Sequence, residues 1–288
     1  MGGVHRRPRP ADLAYLVAGL AAWAVIAALP GVHPLLLTLY ADLAATLVVF
    51  AASMAVANAS LYDPYWSVAP AVIAIVWATG HGARQTVVLL LVLAWSIRLT
   101  ANWARSWRGL GHEDWRYVQL REQRQAPWWL VNLVGIQLVP TLVVFAGLLG
   151  VWPAMTGDRA FGLLDDAAII VTGAAVVIEA TADRQLHHFA ADPANRGRII
   201  DQGLWRYSRH PNYLGEITFW WGMWLFGLAA DPGWWWTVAG PIAMVLLFAF
   251  VSVPMMDRRS LARRPDYEQH MRRVPALLPH PMSRRSRS

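Results

Sequence analysis

Eight apolar runs divide the chain, and no other feature restricts its fold so strongly. They cover roughly residues 11–30, 35–57, 66–80, 86–104, 128–152, 164–182, 213–230 and 234–256. Crossing a hydrocarbon core of about 30 Å takes about 20 apolar residues of helix, and most of the runs are that long. The third is shorter, which predicts a tilted or partly re-entrant helix. Inside lipid every backbone polar group must be paired within the protein, so such runs fold as helices and not as loops or open sheet. The chain has 288 residues, of which 56% are hydrophobic and 15% charged. It reads as an all-α polytopic integral membrane protein, a single bundle of about eight (seven to eight) transmembrane helices. The first run has no A-x-A-like cleavage site and leads into further spans, so it reads as a retained helix.

All 25 basic residues are arginine, and there is no cysteine. Disulfides, thiolate catalysis and thiolate metal sites are thereby excluded. A net charge of +7 raises the question of a nucleic-acid partner, and the arginine distribution answers it. Arg6, Arg7 and Arg9 precede the first run; the 105–127 loop holds five arginines, the 183–211 loop five, and the segment after Met256 nine. The alternate connections hold only Arg84 and Arg159. With eight helices every arginine-rich segment falls on one side, which the positive-inside rule makes the cytoplasm. The charge is topology, and no nucleic acid is implied. The expected organisation is a basic cytoplasmic tail (1–10), one membrane domain (11–256) and an arginine-rich cytoplasmic segment (257–288), with both termini inside.

Ionisable residues within spans are costly and so point to function. Arg98 lies inside the fourth run. Trp95, Arg98, Asn102 and Arg105 follow at steps of three, four and three, which places them on one helical face. Glu179 and Asp183 are four apart, as are Asn212 and Glu216. Asp63 stands before Pro64 at the start of the third run, in NASLYDPYWSVAP. All four groups fall at the cytoplasmic end. Arg98 pairing with Glu179 or Glu216, and Asp63 as an ordinary N-cap, are the purely structural alternatives. The string GLWRYSRHPNYLGE carries Arg206, Arg209, His210, Asn212 and Tyr213 into the helix that bears Glu216. Cationic groups, a rigid turn and an acid at a membrane surface suit a charged cofactor meeting an apolar substrate. The 105–124 loop adds five arginines among Trp107, Trp115 and Tyr117; guanidinium groups bind phosphates bidentately, and an anionic-lipid surface is the alternative. No glycine-rich phosphate turn is present. His187 and His188 are adjacent and cannot share a metal from one helix face, so no metal is expected.

GLWRYSRHPNYLGE resembles the signature of the membrane superfamily of steroid 5-alpha-reductases, sterol reductases and isoprenylcysteine carboxyl methyltransferases. DPYWSVAP (63–70), IRLTANWARSW with GHEDWRY (97–117) and DYEQHMRRVPALLP (266–279) are similar to the bacterial branch grouped with the steroid 5-alpha-reductase C-terminal domain. The resemblance covers most of residues 58–280, and the first helix is an addition to the seven-helix reductase plan. It implies an NADPH-dependent oxidoreductase of a bacterial inner membrane that reduces a carbonyl-conjugated C=C bond in a lipophilic, steroid-like or polyprenoid substrate. By position, Arg98, Asn102, Arg105, Asp183, Asn212 and Glu216 line the cofactor site, with Arg206, Arg209, His210 and Tyr213 in the same loop. Asp63 stands where those reductases bind the substrate carbonyl with a glutamate. Their substrate-binding tyrosine is matched by Trp95, so a carbonyl-facing hydroxyl would come from Tyr62 or Tyr65. An S-adenosylmethionine-dependent methyltransferase shares the loop, and a non-catalytic lipid-binding protein is the third expectation.

Overall fold

A computed structural model of the chain describes residues 10–78, 80 and 82–279. The tail arginines Arg6, Arg7, Arg9, Arg284, Arg285 and Arg287 lie outside the described residues. Those described form helices and no strand. In chain order they are α1 (Pro10–Ala28), α2 (Pro34–Ala55), a 3-10 turn (Ala59–Tyr62), α3 (Tyr65–Trp77), α4 (Ala83–Ser106) and α5 (Trp115–Gln123). There follow α6 (Trp128–Leu148), α7 (Val151–Thr156), α8 (Leu163–Ala191), α9 (Pro211–Ala230), α10 (Pro232–Arg263) and α11 (Tyr267–Arg273). Five of them, α1, α2, α4, α6 and α10, are long and apolar enough to cross a membrane. The chain is an all-helical membrane protein.

Several boundaries differ from the sequence reading, each for a local reason. The fifth run breaks at Leu149–Gly150, so α7 is a separate short helix. The sixth continues to Ala191, nine residues into what reads as a loop. Residues 183–191 hold no glycine or proline, and the first breaker is Pro193. The 105–127 loop contains α5, started by the Asp114 side chain accepting from the Arg116 amide at 2.8 Å. At 13 residues, α3 is about 20 Å long at 1.5 Å per residue, short of a full crossing. It begins at Tyr65 with Pro64 as its cap, so Asp63 is not the N-cap.

Prolines shape two of the long helices. Val131–Leu138 of α6 and Phe248–Ser252 of α10 are wound as π-helix, and Pro140 and Pro254 each follow after one further residue. A proline ring clashes with the carbonyl four residues back, here Ile136 and Phe250, and a wider turn relieves the clash. In α6 the wide turn also brings residues five apart together, so Gln137 donates to Asn132 Oδ1 at 3.0 Å.

Two ion pairs fix how α4 and α8 lie. Arg84 binds Asp165 through Nε (2.7 Å) and Nη2 (2.8 Å), and fourteen residues further along both helices Arg98 binds Glu179 at 2.7 Å. The helices therefore run parallel and in register, with the pairs about 21 Å apart along the axes. Arg84 also donates to the carbonyls of Arg159 and Ala160, so the two arginines of the sparse connections meet at one end. The arginine-rich segments meet at the other. There Arg209 binds Asp257 of α10, and Arg259 stacks on Trp115 with its guanidinium carbon 3.7 Å from the ring centre.

Helix α9 packs antiparallel to α8 and is the centre of the main core. Trp95, Phe145, Leu148, Met155, Phe219, Trp220, Met223 and Phe226 are all buried there. Glycines permit the close approaches. A Cβ on Gly227 would collide with the Gly150 backbone, and one on Gly215 with the Glu179 side chain, so small residues set the helix spacing as in other membrane bundles.

Candidate functional site

Glu179 and Asp183 lie one turn apart on α8 and face α4, where Arg98 bridges them. Its Nη2 donates to Glu179 at 2.7 Å and its Nη1 to Asp183 at 2.8 Å. Glu216 enters from the second turn of α9 with Oε2 at 3.7 Å from the same guanidinium. Two indoles hold it: Trp95 Nε1 donates to Oε2 and Trp220 Nε1 to Oε1, each at 2.9 Å. Asn212 lies beside Asp183. One guanidinium thus serves three carboxylates, all sheltered from water. The surplus is negative and favours a cation or a neutral donor as a further neighbour, not a phosphate. Asn102 Oδ1 and Arg98 Nε are buried nearby without a hydrogen-bond partner.

Asp63 forms a second group. It accepts from the Tyr117 hydroxyl, and Arg116 lies 3.5 Å from the same oxygen. The loop that carries them is stitched to the 3-10 turn: Asn58 donates to the carbonyls of Leu110 and His112, Ala59 N to Glu113, and Asp114 N to Ser60 Oγ. Burial pushes the Asp63 carboxyl up to about 6, against the pull of Arg116 and the Tyr117 hydrogen bond. Burial and the neighbouring Asp63 charge hold the Tyr117 hydroxyl well above its ordinary value.

Beside these lies a cavity of about 490 Å³ between the α8–α9 connection and the end of α10. Arg196, Arg198, Arg259, Arg263 and Arg264 line it, and Asn212 and Tyr213 close its inner wall. None of those five guanidiniums makes a salt bridge among the described residues, and Arg264 Nε is buried without a partner. The C-terminal segment forms the outer wall. Asp257 collects Arg209 (2.8 Å), His210 (3.0 Å) and Tyr267 (2.8 Å), and the Arg209 and His210 amides donate to the carbonyls of Pro275 and Ala276.

Of the residues singled out in sequence, Arg98, Asp183, Asn212 and Glu216 come together in one cluster. Arg98 serves there as counter-ion to the acids of α8. Arg209, His210 and Tyr213 line the cavity, but the Arg209 guanidinium and the His210 ring are occupied by Asp257 and, for Arg209, by the carbonyls of Met271 and Val274. Arg105 and Arg206 are exposed and outside the cavity lining. Tyr62 and Tyr65 are buried with their hydroxyls bound to Thr141 (2.8 Å) and Asp42 (2.6 Å). Sequence reasoning passed over Asp42, Asp257 and the cavity arginines, and noted Tyr117 only as one of the aromatics of the 105–124 loop. Asp42 had a signal, since it is the single charge in α2. The arginines had none, because topology alone accounted for their number.

This is a helical membrane protein in which a buried acidic cluster and an arginine-lined cavity lie at the same end of the bundle, its mouth. A model of the family described as "Protein of unknown function (DUF1295)" matches residues 49–274, and the chain belongs to that family. The match leaves out α1 and about the first two-thirds of α2. The chain is also similar to a Schizosaccharomyces pombe protein described as "Uncharacterized protein C594.04c", 27% identical over 253 residues, covering 77% of this chain and 73% of that one. No solved structure matches the chain.

Proposed function

We propose that the protein is an NADPH-dependent membrane reductase acting on a carbonyl-conjugated C=C bond of a lipophilic substrate. In this reading eight helices are membrane-embedded, both termini are cytoplasmic, and the mouth opens to the cytoplasm of a bacterial inner membrane. The observation that carries it is the position of Asn212, which lies beside Asp183 of the acidic cluster and also lines the arginine cavity. A bipolar site of this kind suits a dinucleotide. Arg196, Arg198, Arg263 and Arg264, with the unpartnered Arg264 Nε, are matched to its phosphates. The acidic surplus around Arg98 suits the carboxamide donor and the cationic oxidised ring of the nicotinamide. When bound, the cofactor's nicotinamide, in its reduced, uncharged form, would supply hydride.

The chain's own residues do the rest. Asp63, with its carboxyl raised to about 6, keeps a proton on a fraction of molecules at neutral pH, on the order of a tenth. In that form it donates a hydrogen bond to a substrate carbonyl and stabilises the enolate that develops there. Tyr117 and Arg116 orient it. Trp95 and Trp220 fix Glu216 and keep water from the inner end.

The acidic surplus also suits a sulfonium, which keeps an S-adenosylmethionine-dependent methyltransferase as the second reading. A single carboxylate on that donor leaves most of the cavity arginines without a purpose. Titrating the purified full-length protein with NADPH, NADH and S-adenosylmethionine, read by tryptophan fluorescence, separates the two. Saturable NADPH binding, weakened about tenfold in Arg264→Ala, is expected. Saturation by S-adenosylmethionine alone transfers the case to the methyltransferase. Binding of none of the three favours a lipid-binding protein without turnover.

A further inference from the structure

One face of α8 looks away from the bundle and changes character towards the end of the helix. Ile170, Ala174, Val177, Thr181, Arg184 and His188 follow at steps of four, three, four, three and four, which sets them in a single stripe. Glu179 and Asp183 lie on the opposite face, so the acidic cluster takes no part. Ile170 and Val177 are 70% and 64% exposed, and in a membrane bundle such residues meet lipid tails. Arg184 and His188 are exposed as well. They border a groove of about 350 Å³ between α8 and the 3-10 turn Gly203–Arg206, lined by Thr181, Arg184, Gln185, His188, Gln202 and Gly203. Two bonds seat the turn: the Leu204 amide donates to Gln185 Oε1 at 2.9 Å and Trp205 Nε1 to the Ala182 carbonyl at 3.0 Å. Gly203, at φ +59°, rests against the Gln185 side chain where a Cβ would collide, so no side chain fills the groove at that point.

Register fixes the depth of this groove. Arg84 pairs with Asp165 and Arg98 with Glu179, each across 81 residues of sequence, so Arg184 stands level with Trp103 of α4 and His188 with Trp107 at that helix's end. The Trp103 and Trp107 rings lie 5.1 Å apart, and α4 is long and apolar enough to cross a membrane. Tryptophans at the end of such a helix mark the headgroup level. From Arg184 to Ile170 the stripe runs about 21 Å, more than one leaflet's share of a hydrocarbon core about 30 Å thick. The face is thus apolar at tail depth and cationic at headgroup depth. Arg184 makes no ion pair among the described residues, and its guanidinium donors and the His188 ring suit phosphate oxygens. No lining residue is a carboxylate, so nothing in the groove receives the ammonium of a zwitterionic headgroup.

We propose that this groove holds the phosphate of one anionic phospholipid, bound by Arg184 and His188, with an acyl chain laid along Val177, Ala174 and Ile170. Basic recesses at headgroup level are where helical membrane proteins hold such lipids. A snorkelling arginine touches whichever lipid passes; a recess closed on one side by a second element retains one. The lipid joins α8 to the turn Gly203–Arg206, which leads into the loop that carries Arg209 and His210, and so braces that connection from outside. The site needs no dinucleotide and stands apart from the reductase reading.

Native mass spectrometry tests the assignment on the full-length protein, equilibrated in detergent with equal amounts of phosphatidylglycerol and phosphatidylcholine, for wild type, Arg184→Gln and Arg108→Gln. Wild type is expected to retain one phosphatidylglycerol. Arg184 is exposed, so Arg184→Gln leaves the core intact and removes the charge-assisted bonds; retention should fall about tenfold. Arg108 is another exposed arginine at the same end, and Arg108→Gln should retain the lipid as wild type does. Excess inorganic phosphate should not displace it, because the tail is held as well. Equal retention in wild type and Arg184→Gln, or of the two lipids by wild type, overturns the site. A fall of the same size in Arg108→Gln would show attraction by surface charge at large and sink the groove. Displacement by inorganic phosphate overturns the lipid and leaves a free-anion site in its place.

Discussion

Trp95 of α4 donates its indole N–H to Glu216 of α9 at 2.9 Å, and Trp220 gives the same carboxylate a second indole N–H at 2.9 Å. Both tryptophans are fully buried, so each donor needs its acceptor. A glutamine at position 216 keeps one oxygen and turns an amide donor toward the other indole. Glu216→Gln is therefore expected to destabilise the protein by about 1–3 kcal/mol, the cost of a buried donor left unpaired. Thermal unfolding in detergent measures it, and Trp95→Phe in the same background should recover part of the loss. Equal melting of wild type and Glu216→Gln would show that the indoles do not depend on the acid.

That contact shows how much of the site the sequence disclosed. Trp95 and Glu216 were each visible, one on the Arg98 face and the other opening an apolar helix. Their pairing is 121 residues apart in sequence and depends on the antiparallel docking of α9, which no local pattern specifies. The same holds for Arg98. Spacing placed it at the right end of the bundle, but the position of Asp183 as its second partner required α8 to continue through the arginine-bearing connection. Helix existence followed from hydrophobic runs, since lipid imposes pairing of the backbone. The π turns before Pro140 and Pro254 follow from proline sterics and were legible in principle. The cavity arginines were not, because their count was already explained by topology.

Asp63 gives a pH signature. Its folded value of about 6 lies above the ordinary 3.8, so between these values the native state holds more protons than the unfolded chain. Stability contributed by this group is then full below about pH 4 and falls as pH rises to about 6. At 1.36 kcal/mol per pKa unit the loss is about 3 kcal/mol at most. Asp63→Asn removes the titration and leaves an acceptor for Tyr117. Denaturation curves of the two proteins should diverge across that window and run parallel above it; parallel curves throughout would refute the assignment.

At the far end of the bundle, Arg84 and Asp165 are buried to within a few per cent of full coverage. Removing one partner strands a charge, so Asp165→Asn is expected to cost about 3–5 kcal/mol, while the double change Arg84→Leu with Asp165→Leu recovers most of it. The pair lies about 21 Å along the helices from Arg98. NADPH affinity of whatever folds should therefore equal that of wild type. A weakened affinity would mean that the two ends of α4 and α8 are coupled.

Arg209 ties the mouth to the C-terminal segment through a fork that lysine does not have. Its Nη2 reaches Asp257 at 2.8 Å and its Nη1 the Val274 carbonyl at 2.6 Å, while the backbone amides of Arg209 and His210 bond Pro275 and Ala276. A lysine keeps the charge and can keep the bond to Asp257, but not the one to the Val274 carbonyl as well. Losing the other costs about 1–3 kcal/mol of local stability, concentrated in the opening that exposes those two amides. In Arg209→Lys, hydrogen exchange of the peptide spanning residues 205–215 is expected to speed up roughly ten- to a hundredfold at two amides. Helix α8 should be protected as in wild type. Unchanged exchange at both amides would show that Asp257, His210 and Tyr267 hold the segment without the fork.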